Sequence, residues 1–272
     1  MTDVYAVVGN PVAHSKSPRI HAEFARRTGQ DLVYEAILAP LGGFAVTVDA
    51  FRARGGRGMN VTLPFKLEAY GYAGEHTPRA ERAGAVNTLR FDEGRVLGDN
   101  TDGVGLARDI ESNLGITLKG RRVLLLGAGG AARGVVLPVL ERGPAGLVIA
   151  NRTPERAVEL RALFPEFANL EGGGYEALAG RRFDVVINAT SASLADALPP
   201  LPPEAFAPGA LAYDMMYGRG STPFLAFARA HGAGVCADGL GMLVEQAAES
   251  FFVWRGVRPD TAPVIGMLRH EA

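Results

Sequence analysis

Cysteine is nearly absent: the 272-residue chain has one, Cys236. A single thiol cannot close an internal disulfide, so the fold must rest on a packed core, and the chain suits a reducing compartment. Cys236 reads as a small buried apolar side chain. No apolar run approaches the roughly 18 residues that span a bilayer. The opening segment, MTDVYAVVGN, lacks the basic-then-apolar pattern of a secretory signal, so a cytoplasmic location is expected. Neither sign of charge dominates: 28 Lys and Arg face 29 Asp and Glu, a net charge of −1. That leaves no electrostatic footprint for nucleic acid or an anionic membrane. The five histidines, His14, His21, His76, His231 and His270, show no metal-ligand spacing, so no metal is expected. Glycine is plentiful at 35 residues but scattered without a repeat, which excludes a collagen or a flexible linker. At 47% hydrophobic, the chain can bury a core, and its length allows two modest domains or one large one.

The most informative stretch is VLLLGAGGAARG, residues 123–134. Val123 to Leu126 read as a short buried strand. Gly127-Ala128-Gly129-Gly130-Ala131-Ala132 then fits G-x-G-x-x-G/A, and Val135, Val136, Val139 and Leu140 mark one face of a following helix. Strand, glycine turn and helix together are the context this motif requires. The first glycine permits the tight turn, the second lets backbone approach a pyrophosphate, and the small residue at Ala132 lets helix and strand pack closely. The helix N-terminus presents unpaired N–H groups and a positive dipole end to phosphate.

Before this pivot, strands are expected at Val4–Val8, Leu32–Leu38 and Met59–Leu63, and two short ones at Ala85–Phe91 and Arg95–Leu97 around Asp92-Glu93-Gly94. Pro18 opens a helix that ends at Gly29, Phe44–Phe51 forms another, Thr77-Pro78 begins a third, and Asp102 can cap a fourth that runs to Leu114. After the pivot, apolar strands at 123–126, Leu147–Ala150, Val185–Asn188 and Leu211–Tyr213 alternate with helical patterns at 131–141 and 154–164. Such alternation implies a doubly wound parallel sheet. Gly172-Gly173-Gly174 and Pro199 to Pro203 read as surface loops. Leu240, Leu243, Val244, Ala247, Ala248, Phe251 and Phe252 give a C-terminal helix one wide apolar face, with Met242 and Gln246 beside it. That helix either returns to the first domain or caps the second.

Two groups of side chains suggest chemistry. Dinucleotide domains that take NAD place Asp or Glu at the tip of the second strand, about 20 residues past the glycines, to bond the ribose 2′-hydroxyl. Here the tip reads Asn151-Arg152-Thr153, with Arg156 one turn later and no carboxylate at the tip itself. Two guanidinium groups suit a 2′-phosphate, hence NADP, although Glu155 and Glu159 nearby would also fit an ordinary solvated face. Lys66 follows a strand end, where ligand sites gather in α/β folds, among Asn60, Thr62, Asn87, Thr88, Asn100, Thr101 and Asp102. A lysine beside a carboxylate can donate a proton or hold a developing oxyanion, but position alone favours a solvated surface lysine.

Nine segments together resemble the shikimate dehydrogenase family: GNPVAHSKSPRIH at 9–21, MNVTLPFK at 59–66, GAVNTL at 84–89, GDNTDGVG at 98–105, LLLGAGGAARG at 124–134, ANRTPERA at 150–157, INATS at 187–191, YDMMY at 213–217 and ADGLGMLVEQAA at 237–248. The resemblance implies NADPH-dependent, reversible reduction of 3-dehydroshikimate to shikimate, on the route to chorismate and the aromatic amino acids. It implies an α/β fold with an N-terminal substrate domain at 1–103, a Rossmann-type NADP domain at 104–237, and a C-terminal helical segment at 238–272 that returns to the first domain. By the same resemblance, Lys66 and Asp102 are the catalytic pair. Ser15 and Ser17 bind the substrate carboxylate, Asn60, Thr62, Asn87, Asp102 and Gln246 bind its ring hydroxyls, and Tyr217 lies near it. Gly127, Ala128, Gly129, Gly130, Ala131 and Ala132 match the pyrophosphate turn. Asn151, Arg152, Thr153 and Arg156 match the adenosine-phosphate site; Thr190, Gly239 and Met242 fall in the cofactor site, Met242 near the nicotinamide. The resemblance implies a small-molecule substrate and a monomer or homodimer, with no nucleic acid or membrane partner. One departure stands out: Ser193 occupies a position where the family commonly has glycine, which accepts positive φ more readily. A relative that prefers quinate or NAD, and a non-catalytic sensor of NADP or a pathway acid, are the alternative readings. The presence of both Lys66 and Asp102 argues against the sensor, because binding alone needs no proton donor.

Overall fold

The structure is a computed structural model that describes residues 2–190, 192, 197–218 and 220–270. The chain divides into two compact units, Met1–Gly105 with Leu243–Glu271, and Leu106–Met242.

In the first unit, β1 (Asp3–Gly9), α1 (Ser17–Thr28), β2 (Leu32–Leu38), α2 (Phe44–Ala53), β3 (Gly56–Val61), α3 (Lys66–Tyr72), β4 (Glu75–His76), α4 (Pro78–Ala83), β5 (Thr88–Asp92) and β6 (Arg95–Asp99) follow in order. The sheet order is β2-β1-β3-β5-β6-β4. Strands β1, β2 and β3 are parallel, whereas β5 runs antiparallel to both β3 and β6. Tyr5 to Val8 lie between two neighbouring strands and are buried, which is what a short apolar run of this kind achieves in a covered parallel sheet. Strand β3 begins three residues before the expected Met59, because Gly56 has no side chain to collide with the Phe51 ring packed over it. The two-residue β4 carries no pattern long enough to read from sequence.

Helix α5 (Asp102–Arg108) starts in the first unit and enters the second, where it continues as one π-helical turn, Asp109–Asn113. Asp102 is the first helical residue and not a cap: its own N–H is bonded by Asn100 Oδ1 at 3.2 Å.

The second unit contains β7 (Arg122–Leu126), α6 (Gly130–Leu140), β8 (Gly146–Ala150), α7 (Pro154–Ala162), β9 (Leu170–Gly173), β10 (Phe183–Asn188), β11 (Phe206–Asp214), α8 (Pro223–Ala230) and β12 (Ala233–Ala237). Its six strands, ordered β12-β11-β10-β7-β8-β9, are all parallel. The order reverses between β7 and β10, the topological switch point of a Rossmann-type sheet. Strands β7 and β8 alternate between two cores, Val123, Leu125, Leu147 and Ile149 on one face, Leu124, Leu126, Val148 and Ala150 on the other. The expected Gly172 loop is instead part of β9: a side chain there would collide with the Ala157 carbonyl of α7, so glycine marks a close helix–strand approach.

Helix α9 (Leu240–Arg255) begins in the second unit and belongs to the first from Leu243 onward, and α10 (Ala262–Arg269) follows it there. Val244, Ala247, Ala248 and Phe251 are fully buried, Phe251 edge-on to Phe24 of α1. Phe252, placed by periodicity on the same apolar face, is instead 43% exposed under the Arg258 guanidinium. Cys236 is only partly buried, and burial pushes its thiol pKa up. Ser193 lies outside the described residues.

Candidate active site

Strand β3 ends at Val61, and the turn through Thr62 and Phe65 hands the chain to α3, whose first residue is Lys66. Phe65 is fully buried and anchors that turn, so the Lys66 stem emerges from a fixed point. Lys66 Nζ donates to Asp102 Oδ2 at 2.5 Å, with the two side chains 15% and 7% exposed. The other carboxylate oxygen accepts from Asn87 Nδ2 at 2.8 Å. Asp102 is therefore held from both sides, and the ammonium keeps two of its three hydrogens for other partners.

Asn87 extends the constellation. Its Nδ2 also reaches Thr101 Oγ1 at 2.9 Å and Gln246 Oε1 at 3.3 Å, and its Oδ1 accepts from the Thr101 N–H and the Thr88 hydroxyl. Asn60 is fixed as tightly: Oδ1 accepts from the Tyr34 phenol at 2.7 Å, while Nδ2 donates to Ser250 Oγ at 2.9 Å and Thr88 Oγ1 at 3.1 Å. Both asparagines are buried, so such partners are what make their burial tolerable. Burial raises the Tyr34 phenol well above its ordinary pKa, which keeps it a donor.

The Asp99-to-Asp102 segment is buttressed from behind. Arg79 makes a paired contact with Asp99, at 2.7 and 2.5 Å, and reaches Glu249 of α9 at 2.9 Å. Asp99 also accepts from the Thr77 hydroxyl and the Asn100 N–H. This fixed bidentate geometry is the kind that positions neighbouring groups.

Of the expected substrate residues in the first unit, Asn60, Lys66, Asn87, Asp102 and Gln246 join one hydrogen-bonded net. Ser15 and Ser17 share a loop in which Ser15 Oγ accepts from the Ser17 N–H at 3.2 Å. Thr62 stays apart from the net, its N–H bonded to the Val8 carbonyl. Sequence reasoning missed Tyr34 and Ser250. Ser250 sits four residues beyond Gln246 on the buried side of α9, and a hydroxyl at an apolar-face position was the available signal.

In the second unit, Gly127 has φ +107°, and a Cβ there would lie 3.2 Å from Thr190 Cγ2. Both features favour glycine at that turn. Gly129 is the N-cap of α6, and no side chain bonds the helix N-terminus. Added Cβ atoms at Gly129 and Gly130 would meet nothing within 4 Å, so the turn is open at both residues. Ala128 and Ala132 are buried and Ala131 is partly exposed. At the tip of β8, Asn151 Nδ2 bonds the Thr153 carbonyl at 2.9 Å and Thr153 is the N-cap of α7. Arg152 and Arg156 are exposed, and among the described residues no carboxylate is paired with either. Thr190 Oγ1 donates to Asn188 Oδ1 at 2.7 Å. Tyr217 is partly buried, and burial raises its phenol pKa. Gly239 packs against the Met215 carbonyl, which leaves no room for a side chain, and Met242 is 7% exposed. Among the described residues no cluster of His, Cys, Asp and Glu could hold a metal, and no helix is long and apolar enough to cross a membrane.

Three family models match the chain: "Shikimate dehydrogenase substrate binding domain" over residues 7–89, "Shikimate / quinate 5-dehydrogenase" over 106–195, and "Shikimate 5'-dehydrogenase C-terminal domain" over 239–268. A shikimate dehydrogenase (NADP(+)) of Nitrosospira multiformis is 65% identical across 99% of this chain and 98% of the relative. One from Dechloromonas aromatica is 63% identical with the same coverage. Among solved structures, an Ael1 enzyme from Pseudomonas putida superposes with a TM-score of 0.93 at 54% identity, covering 98% of each chain. Shikimate 5-dehydrogenase from Thermus thermophilus, in complex with NADP(H) and shikimate, superposes with a TM-score of 0.88 at 36% identity over 100% of both chains.

Proposed function

The chain belongs to the shikimate dehydrogenase family, and from that premise we propose that it interconverts 3-dehydroshikimate and shikimate with NADP as cofactor. The observation that carries the reading is the Lys66–Asp102 pair, fixed by Asn87 at a strand-to-helix turn and surrounded by side-chain amides and hydroxyls. A polyhydroxylated ring acid is the substrate class for which such a lining is suited.

The second unit fits a dinucleotide. The uncapped N-terminus of α6, with open space at Gly129 and Gly130, is the cradle a pyrophosphate needs. Arg152 and Arg156, exposed beside the tip of β8, would hold the 2′-phosphate, with Asn151 and Thr153 along the adenosine. Gly127, Ala128, Ala131 and Ala132 shape the turn; Thr190, Gly239 and Met242 complete the cofactor side, and Tyr217 serves the substrate. NADPH, when bound, supplies the hydride.

The remaining work falls to the first unit. Ser15 and Ser17 take the substrate carboxylate, and Asn60, Thr62, Asn87 and Gln246 orient the ring hydroxyls. As the carbonyl carbon is reduced, its oxygen gains negative charge. Lys66 Nζ stabilises that charge and delivers a proton to the oxygen, while Asp102 aims the ammonium and accepts from a substrate hydroxyl. In the oxidative direction the same nitrogen takes the proton back. We place the reaction in a reducing cytoplasm, where the lone Cys236 stays a thiol.

The test is Lys66→Met, which keeps stem length and apolar packing but removes the charge. kcat should fall by roughly 10²–10⁴-fold, the range of general acid–base catalysis, while the KM for shikimate moves far less. Near-normal kcat with only KM raised would reduce Lys66 to a binding residue and remove the proposed proton donor.

A further inference from the structure

A buried acid and phenol in the second unit have no part in the roles above. Asp109 opens the π-helical turn after α5 and is 1% exposed; Tyr213, near the end of β11, is fully buried. The phenol donates to Asp109 Oδ2 at 2.6 Å, and its oxygen accepts from the Met242 backbone N–H at 3.3 Å. Asp109 Oδ1 accepts from Asn113 at 2.8 Å and lies so close to Gly241 that any side chain there would collide with the carboxylate. Two residues earlier, Gly239 packs with equal tightness on the Met215 carbonyl, and its N–H bonds the Met216 carbonyl at 3.0 Å. Asp238 Oδ1 bonds the Leu240 N–H at 3.3 Å.

The first turn of α9 is thus held by a carboxylate–phenol pair and by glycines that admit no side chain. A bare buried carboxylate would be costly, and the phenol and Asn113 are among its partners. The phenol, with one hydrogen committed to Asp109, offers its lone pairs to the helix N-terminus, where N–H groups lack intrahelical acceptors. A π-turn at Asp109 is consistent with a functional constraint, since such turns insert a residue at some cost in helix geometry.

We propose that Tyr213 and Asp109 are positioning residues that set the place of Gly239 and Met242 in the cofactor site, an inference that rests on the cofactor role assigned to those two residues above. The pair touches Met242 through its backbone, so it acts on where the side chain starts and not on its chemistry.

The experiment measures NADPH binding by fluorescence titration, together with KM for shikimate, in wild type, Tyr213→Phe, Asp109→Asn, Met242→Ala and the Tyr213→Phe/Met242→Ala double variant. Tyr213→Phe removes only the hydroxyl and should weaken NADPH binding about three- to tenfold, the net worth of one hydrogen bond. The KM for shikimate should stay within about twofold of wild type, since the Tyr213 hydroxyl bonds Asp109 and the Met242 N–H and no residue assigned to shikimate. Asp109→Asn, which replaces one acceptor oxygen by a donor, should weaken NADPH binding in the same direction. In the Met242→Ala background the Tyr213→Phe effect should shrink, because the two act on one contact. Unaltered NADPH affinity in both Tyr213→Phe and Asp109→Asn, whatever their melting temperatures, would overturn the inference. Additive effects in the double variant would also overturn it. Failure of the wild-type chain to bind NADPH would overturn the cofactor reading and this inference with it, whereas wild-type binding with unaltered variants would overturn this inference alone.

Discussion

His21 is fully buried and stacks face to face on Tyr34, with ring centroids 4.2 Å apart and planes 4° from parallel. Neither ring nitrogen has a hydrogen-bond partner, so the imidazole acts as an aromatic plate behind the tyrosine that orients Asn60. Burial lowers its pKa from 6.5 to about 3. Between those values the unfolded chain binds a proton that the folded chain refuses. This site's contribution is therefore fully present above about pH 6.5 and is lost as pH falls toward 3. At pH 5 the loss is about 2 kcal/mol. His21→Phe keeps the stack and removes the titration. Urea unfolding at pH 7 and pH 5 should show a loss of stability about 2 kcal/mol smaller in the variant than in wild type; equal losses would show that His21 does not govern this window. A second residue-scale prediction concerns Ser15 and Ser17. Each hydroxyl assigned to the substrate carboxylate should contribute about 1.5–3 kcal/mol, the range for hydrogen bonds to charged groups. Ser15→Ala or Ser17→Ala should accordingly lower kcat/KM, mainly through KM, and an unchanged KM in both would leave the loop a structural turn.

At the scale of elements, the tip of β8 and the start of α7 are the proposed reader of the cofactor's 2′-phosphate. Arg152→Ala should raise the KM for NADPH by roughly 10- to 150-fold, the worth of a charge-assisted bond, and leave that for NADH nearly unmoved. An equal change for both cofactors would mean that Arg152 does not read the 2′-phosphate. The glycine turn, β7 and α6 were legible because three local signals coincide there: an apolar run, spaced glycines and a helical stripe. Elements without such coincidence were not. Strand β4 is two residues long. Strand β9 looked like a glycine loop because Gly172 serves packing against α7. Strand β12 is a five-residue edge strand and α10 has eight residues, windows too short to stand out by period. Asp102 looked like a cap because acids favour helix starts, but Lys66 and Asn87 compete for its carboxylate. That competition is tertiary and leaves no trace in local sequence.

For the whole molecule, the chain forms two sheets of six strands each: one mixed, bearing the Lys66–Asp102 net, and one wholly parallel, bearing the glycine turn. The sequence pattern changes at the 123–134 stretch, whereas the two units meet at Gly105 and Leu106, and the assignment of Leu243–Glu271 to the first unit follows from contacts such as Asn60 to Ser250, far apart in sequence. The chemistry proposed at Lys66 was not legible from position alone; the family motifs pointed to it. The most direct measurement is NADPH oxidation by the purified chain with 3-dehydroshikimate, run beside NADH in place of NADPH and 3-dehydroquinate in place of 3-dehydroshikimate. The account predicts rapid turnover with 3-dehydroshikimate and NADPH, and kcat/KM at least about tenfold lower when either is replaced, the least that one lost charge-assisted bond would give. Equal or faster turnover with NADH or 3-dehydroquinate, or no oxidation of NADPH with 3-dehydroshikimate, would contradict it.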